Sequence, residues 1–255
     1  MTRIGLLYPT RDCGEDDFAA LCDQLGADLD VAYVEWGEGI GRVDDLDAAG
    51  KTAAVRELGT PERLTKAAGE FAVTPDVVSW ACSSCSFTHG LDGAREQAAA
   101  LTAHLGVPAS STSLAYLTAL AGLGIDRVAL ASVYHPDLTA VFADFLAEAG
   151  VTTVHAVSAD AASDRALAAW DRRRIIELAT TADHGDAQAV LVPETALHTT
   201  PLLAELERRL RKPVLTATAV TVRDALERTG AVPERAGLGA LFARGARRPP
   251  SSSSS

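Results

Sequence analysis

The stretch RIGLLYPTRDCGEDDFAALCDQLGADLDVAYVE, residues 3–35, has a second version in RVALASVYHPDLTAVFADFLAEAGVTTVHAVS, residues 127–158. Each version runs from a short apolar segment through a polar loop, a segment with helical apolar spacing and a glycine to a second apolar segment. This is the pattern of a strand, a helix and a second strand. Two further units repeat: DVVSWACSSCSF from Asp76 matches QAVLVPETALHT from Gln188, and HLGVPASST, ending at Thr112, matches RLRKPVLTAT, ending at Thr218. The repeat predicts two similar lobes related by an approximate two-fold axis.

We therefore predict an α/β fold of two pseudo-symmetric, doubly wound lobes, each with a mostly parallel four-stranded sheet. The predicted N-terminal lobe covers residues 1–115 and the C-terminal lobe residues 116–230, with a helix near residues 218–230 as a candidate to pack on the first lobe. Residues 244–255 are low in complexity and are predicted to form a disordered tail. Strands are predicted at Ile4–Tyr8, Asp30–Glu35, Val77–Cys82, Ala109–Thr112, Val128–Val133, Thr153–Ser158, Ala189–Pro193 and Val214–Thr216.

The composition indicates which partners and which cellular location are expected for this chain. The 255 residues are 47% hydrophobic, which provides a large core and is compatible with a homo-oligomer. A net charge of -11 argues against nucleic acid or an anionic membrane as the partner. The N-terminus lacks the long apolar centre of a signal peptide, so a cytoplasmic location is expected, with the four cysteines as reduced thiols.

The repeat also predicts a site. Cys82 and Glu194 occupy equivalent positions, each directly after the third strand of its lobe. Ligands of open parallel sheets bind beyond the C-terminal ends of the strands, so the two side chains are expected to face each other across the cleft between the lobes. The loops YPTRD from Tyr8 and VYHPD from Val133 are expected to border the same cleft. The sequence therefore predicts a small-molecule site walled by both lobes.

The segment CSSCSF from Cys82 allows three interpretations. A redox pair is one, half of a metal site is a second, and a single nucleophilic cysteine at the end of a strand is a third. Neither the other cysteines nor any histidine pair supplies a second ligand cluster at typical metal spacing. Cys22 and Cys85 are interpreted as small buried hydrophobic residues, and Cys82 as a thiol held near backbone N–H donors.

The sequence contains no motif that is typical of nucleotide-cofactor binding. No glycine-rich phosphate loop follows a strand, and GEGIGRV from Gly37 is only loosely similar to one. The chain also contains no asparagine, which excludes any function that depends on asparagine side chains.

The order GLLYPTRD, VVSWACSSCSF, LGVPASSTSLAYLTALAGLGIDRVAL, VYHPD, VLVPETALHTTPL and KPVLTATAVTVRDAL resembles the aspartate/glutamate racemase superfamily, in particular its maleate cis-trans isomerase and arylmalonate decarboxylase branch. That resemblance implies an active site between two lobes, with a cysteine after the third strand of one or both. Here the first position is Cys82, and the second is Glu194 in place of a cysteine. The family chemistry requires no metal and no pyridoxal phosphate, so no cofactor is expected.

The resemblance implies a cysteine-dependent enzyme acting on a small mono- or dicarboxylate, with Cys82 and Glu194 as catalytic residues. Maleate-type cis-trans isomerisation is the leading hypothesis, and malonate-type decarboxylation or racemisation are the alternatives within the superfamily. A hypothesis of another class is a diverged, non-catalytic ligand-binding or accessory protein of a catabolic pathway. In maleate isomerases asparagine side chains hold the carboxylates, a role for which Arg11 is the candidate here. The expected substrate-binding residues are Thr10, Arg11, Ser83, Ser84, Tyr134 and Thr195.

Overall fold

The structure is a computed structural model that describes residues 1–36, 46–231 and 234–243. The segment GEGIGRV from Gly37 and the predicted tail at residues 244–255 lie outside the described residues.

The N-terminal half forms one parallel four-stranded sheet in the order β2-β1-β3-β4. Its strands are β1 (Arg3–Tyr8), β2 (Asp28–Tyr33), β3 (Val77–Trp80) and β4 (Ala109–Ser111). β1 and β3 lie in the centre of the sheet, and from Ile4 to Tyr8 and throughout β3 they consist of buried residues. Strands covered by helices on both faces require such continuous apolar runs.

The C-terminal half repeats this architecture. Its sheet has the order β6-β5-β7-β8, again with all strands parallel. The strands are β5 (Arg127–Ser132), β6 (Thr152–Ser158), β7 (Ala189–Val192) and β8 (Val214–Thr216). The predicted fold class is confirmed. The largest error in the strand positions is at β2, which begins and ends two residues before the predicted range because its polar residues Asp28 and Asp30 obscure its start.

Helices connect the strands, and several end at glycines that the sequence pattern identifies as stops. Gly26 and Gly106 adopt the left-handed conformation, with φ of 70° and 72°, which a residue without a Cβ adopts at little cost. No helix in the described ranges is long and apolar enough to cross a membrane. The helices are α1 (Glu15–Leu25), α2 (Ala48–Leu58), α3 (Pro61–Ala68), α4 (Ser84–Phe87), α5 (Gly90–Leu105), α6 (Thr112–Leu123), α7 (Pro136–Glu148), α8 (Asp164–Ala168), α9 (Arg172–Ala182), α10 (Leu203–Leu210) and α11 (Ala217–Arg228).

The two halves are joined by packing of α6 against α11, the helices that follow β4 and β8. The hydroxyls of Thr112 and Thr221 form a buried hydrogen bond of 2.7 Å between these helices. The Tyr116 hydroxyl on α6 donates to the carbonyl oxygen of Val192 at the end of β7, at 2.7 Å. A single hydrophobic cluster includes core residues from both halves. The predicted lobe boundary between residues 115 and 116 falls within α6.

A buried carboxylate adds a second link. Asp17 on α1 is 2% exposed, and its side chain accepts hydrogen bonds from the backbone N–H groups of Thr199 and Thr200, each at 3.0 Å. These N–H groups precede α10 in the C-terminal half. Burial of a carboxylate is unfavourable unless donors surround it, and here they do. Asp17 therefore ties the first helix of one lobe to the loop after β7 in the other.

We expect Asp17→Ala to lower the free energy of unfolding by about 2–4 kcal/mol, because the N–H groups of Thr199 and Thr200 would remain buried without an acceptor. Urea denaturation followed by circular dichroism measures this change. Asp16→Ala is the matched control: the Asp16 side chain is 74% exposed and pairs with His198, so its loss should cost less than about 1 kcal/mol. Equally small effects for both variants would contradict the proposed link.

Candidate active site

A cavity of about 350 Å³ lies between the lobes at the C-terminal ends of the strands. Segments after β1 and β3 line it from one lobe, and segments after β5, β6 and β7 from the other. In the strand order 2-1-3-4 the crevice opens between the first and third strands, where their connections leave in opposite directions. Seven of the eight site residues expected from the sequence line this cavity: Thr10, Cys82, Ser83, Ser84, Tyr134, Glu194 and Thr195.

Cys82 lies at the inner end of the cavity, two residues after β3. It is 6% exposed, and its Sγ accepts a hydrogen bond from the backbone N–H of Cys85 at 3.3 Å. The Ser84 hydroxyl lies 3.7 Å from the same sulfur. The Ser113 hydroxyl on α6 donates to the carbonyl oxygen of Ser83 at 2.9 Å and so fixes the turn that carries the thiol. A thiolate formed at Cys82 therefore has fixed donors.

Glu194 lies two residues after β7, at the position equivalent to Cys82, and is 6% exposed. Its Oε1 accepts a hydrogen bond from the backbone N–H of Ala196 at 2.8 Å. Burial, and next the charge of Asp164, raise the pKa of this carboxyl to about 8, although hydrogen bonds from Ala196, Thr195 and Tyr134 act in the opposite direction. The side chain is thus mostly a neutral acid at neutral pH.

Tyr134 connects the loop after β5 with the loop after β7. Its hydroxyl donates a hydrogen bond to the carbonyl oxygen of Pro193, next to Glu194. The ring packs edge-on against Phe87 of α4, with 5.7 Å between ring centroids. Burial, and next the charge of Glu194, raise the pKa of the Tyr134 phenol well above its usual value. Tyr134 therefore stays a neutral donor in the cavity wall.

The second cysteine of the pair has a different environment. Cys85 is fully buried, and burial raises the pKa of its thiol well above the usual value. Burial likewise raises the pKa of Cys13 and of Cys22 to about 12. The carbonyl oxygen of Cys85 accepts a hydrogen bond from the buried Gln97 side chain at 2.8 Å. All these features agree with the interpretation of Cys85 and Cys22 as structural residues.

Arg11 is the expected site residue that does not line the cavity. It is exposed, and its guanidinium carbon lies 3.8 Å from the centre of the Tyr33 ring. Stacking on an aromatic face is a favourable arrangement for a guanidinium group, and it turns Arg11 towards β2. The cations that line the cavity are instead Lys51 on α2 and Arg165 on α8. Sequence reasoning missed both, because they lie in crossover segments without a motif.

Two histidines on loops after β5 and β7 have structural partners outside the cavity. His198 contacts Asp16 through its Nε2 at 2.8 Å, and the His135 side chain caps the start of α7. Neither lines the cavity. Over the described ranges, no group of three or more His, Cys, Asp or Glu side chains is arranged to hold a metal ion.

Polar contacts cross the cleft beside the cavity. The Thr10 hydroxyl after β1 donates to Asp164 Oδ2 on α8 at 2.7 Å. The Tyr8 hydroxyl donates to the carbonyl oxygen of Thr195 at 3.0 Å. Gly14 packs so closely on this loop that an added Cβ would lie 2.2 Å from the Thr195 carbonyl oxygen. The two walls of the cavity are therefore held at a fixed separation.

Comparison with known proteins identifies a decarboxylase and an isomerase as relatives of this chain. Residues 47–242 match the family model of arylmalonate decarboxylase. The chain is 29% identical over 244 residues to arylmalonate decarboxylase of Bordetella bronchiseptica, covering 94% of this chain and 95% of that protein. It is 26% identical over 154 residues to maleate isomerase of Geobacillus stearothermophilus, covering 58% of this chain and 61% of the relative.

A solved structure with the same fold is a liganded double mutant of arylmalonate decarboxylase, in which a glycine is replaced by cysteine and a cysteine by serine. It superposes with a TM-score of 0.79 at 25% identity and covers 95% of this chain and 99% of its own.

The raised pKa of Glu194 predicts a pH-dependent stability difference for Glu194→Gln. Between about pH 4.5 and 8 the native state holds a proton that the unfolded state releases, so wild-type stability falls as the pH rises through this window. Glutamine does not ionise and avoids this loss. We expect the variant to gain on the order of 5 kcal/mol relative to wild type as the pH rises from 4.5 to 8.

Chemical denaturation at a series of pH values measures this difference, with the exposed α3 residue changed in Glu62→Gln as the control. A difference between wild type and Glu194→Gln that does not vary with pH would show that Glu194 ionises normally.

Proposed function

The chain belongs to the arylmalonate decarboxylase family, and from that membership we propose that it converts a small mono- or dicarboxylic acid without a cofactor, with Cys82 and Glu194 as the reacting groups. The geometry best supports cis-trans isomerisation of a maleate-type diacid. The observation that carries this proposal is the presence, in one cavity, of a thiol and a buried carboxyl with a raised pKa at equivalent positions of the two lobes.

Isomerisation requires both groups. The Cys82 thiolate adds to one carbon of the double bond, and the π electrons form a bond between the neighbouring carbon and the proton of Glu194. The carbon–carbon bond is now single and rotates. Glu194, now a carboxylate, takes the proton back, the electron pair re-forms the double bond, and the sulfur–carbon bond breaks. The trans acid leaves, and both side chains return to their starting states.

The remaining polar side chains hold the substrate. Ser84, Thr10 and Tyr134 place hydroxyl groups in the cavity wall. Ser84 is the donor offered to a carboxylate, because the Thr10 and Tyr134 hydroxyls donate to Asp164 and to the Pro193 carbonyl oxygen. Ser83 and Thr195, next to the two reacting residues, complete the proposed binding set.

Decarboxylation of a malonate-type acid is the second candidate. It is favoured by the apolar part of the cavity wall and by the similarity to arylmalonate decarboxylase, which extends over 95% of that protein. Trp36, Val55, Leu138 and Leu167 would accommodate an apolar substituent. In this reaction the carbon–carbon bond to one carboxylate breaks, carbon dioxide leaves, and the electron pair remains on the α-carbon. The Cys82 thiol then protonates that carbon and regains its proton from water.

We also propose a cytoplasmic location, which the four free cysteines favour. A small carboxylate is the proposed partner, and self-association into a homo-oligomer is proposed from the apolar composition.

We expect Cys82→Ala to abolish turnover, and Cys85→Ala to lower it less than about tenfold, because the Cys85 side chain is packed in the core. Purified protein is incubated separately with maleate and with phenylmalonate, and fumarate or phenylacetate is followed by proton NMR. Formation of fumarate from maleate would support isomerisation, and formation of phenylacetate from phenylmalonate would support decarboxylation. Equal losses for the two variants would indicate a dithiol mechanism, and no product with either acid would favour a diverged binding protein.

The pH profile separates the role of Glu194 from that of Cys82. If Glu194 acts as the acid, kcat/KM should fall about tenfold per pH unit above a pKa of about 8, as the carboxyl loses its proton. Glu194→Gln should lower kcat by roughly 100-fold or more. Full activity at pH 9, or in the glutamine variant, would exclude Glu194 as the acid.

A further inference from the structure

We propose that Lys51 and Arg165, one from each lobe, bind an anionic group of the substrate that is remote from the reacting carbon. This assignment rests on the proposed function, since it names the substrate class of the same cavity. It predicts that the substrate is a dicarboxylate whose second carboxylate lies towards the cavity mouth.

The first argument is the absence of other cationic ligands for a carboxylate among the described residues of the cavity wall. The chain contains no asparagine, and Arg11 stacks on Tyr33 instead of lining the cavity. Among the described residues that line the cavity, Lys51 and Arg165 are the cationic side chains. In a chain with a net charge of -11, two cations at one cavity are a local exception that would attract an anionic ligand.

The second argument is their depth. Cys82 and Glu194 are each 6% exposed and form the inner end. Lys51 is half-buried and Arg165 is exposed, so these two side chains border the side that is open to solvent. A ligand that reaches both ends therefore has its reacting carbon inside and its second anionic group outside.

The third argument is the negative charge that Asp164 exerts on the reacting groups. Asp164 is fixed by the Thr10 hydroxyl at 2.7 Å, and its charge acts on Tyr8, Cys13 and Glu194. Repulsion by this carboxylate disfavours a second carboxylate at the inner end. A diacid that places its second carboxylate at the two cations offsets this repulsion, whereas the Ser84 hydroxyl remains available for its first carboxylate.

The position of the pair also explains why both lobes are needed. Lys51 belongs to α2 of the N-terminal lobe and Arg165 to α8 of the C-terminal lobe. The two cations therefore line one cavity from different lobes. A carboxylate that reaches both is contacted from both lobes, with the guanidinium available for a bidentate contact.

The test measures binding without requiring turnover. Cys82 is alkylated with iodoacetamide, the rate is read from the mass of its peptide, and saturated diacids of increasing length (succinate, glutarate and adipate) are compared with their monomethyl esters as protectants. In wild type, at least one diacid should protect better than its ester. In Lys51→Met/Arg165→Met, half-protection by that diacid should require on the order of tenfold more ligand, and protection by the ester should not change.

The matched control is Lys66→Met/Arg95→Met, which removes the same two charges from the exposed surfaces of α3 and α5. In this control variant the diacid should protect Cys82 as strongly as it does in wild type. Thermal melting checks that all variants are folded. Equal losses for diacid and ester, a loss in the control, or no preference of wild type for any diacid would each overturn the assignment. A diacid preference that depends on the pair but accompanies no turnover of maleate or phenylmalonate would instead refute the proposed reaction alone.

Discussion

The strand order 2-1-3-4, present in both sheets, is the constraint on which the site depends. The first and third strands are central neighbours, and their connections leave the sheet edge in opposite directions, which opens a crevice at their C-terminal ends. Because the lobes face each other, the two crevices form a single cavity. The topology therefore brings Cys82 and Glu194 to one cavity, although 111 residues lie between them in the sequence.

Burial determines what the two residues are able to do. A glutamate on the surface would be ionised at neutral pH and unable to donate a proton. Glu194 lies in a wall with Tyr134 and near Asp164, so its charged form is disfavoured and the acid persists. The same burial makes Cys85 a packing residue, although it is only three positions from Cys82. The environment, more than the residue type, assigns these roles.

Contacts between the lobes maintain this environment. Asp17 binds the backbone before α10, Thr10 binds Asp164 on α8, and α6 packs along α11. Each contact is polar or close-packed, so a change in the separation of the walls would leave buried groups without partners. The proposed catalytic pair comes from two lobes and requires such fixed spacing, since small displacements of reacting groups are costly for the rate.

The sequence by itself determined the strands, the internal repeat and the equivalence of Cys82 with Glu194. These features are written in consecutive residues, as apolar runs of strand length and in their order along the chain. Only the tertiary structure decided which cations reach the cavity and which carboxyl has a raised pKa. Arg11 follows a strand and still turns away to Tyr33, whereas Lys51 and Arg165 belong to crossover segments without a motif and line the cavity. The physical reason is that a charge acts through distance and burial, and both depend on how segments far apart in sequence pack against one another.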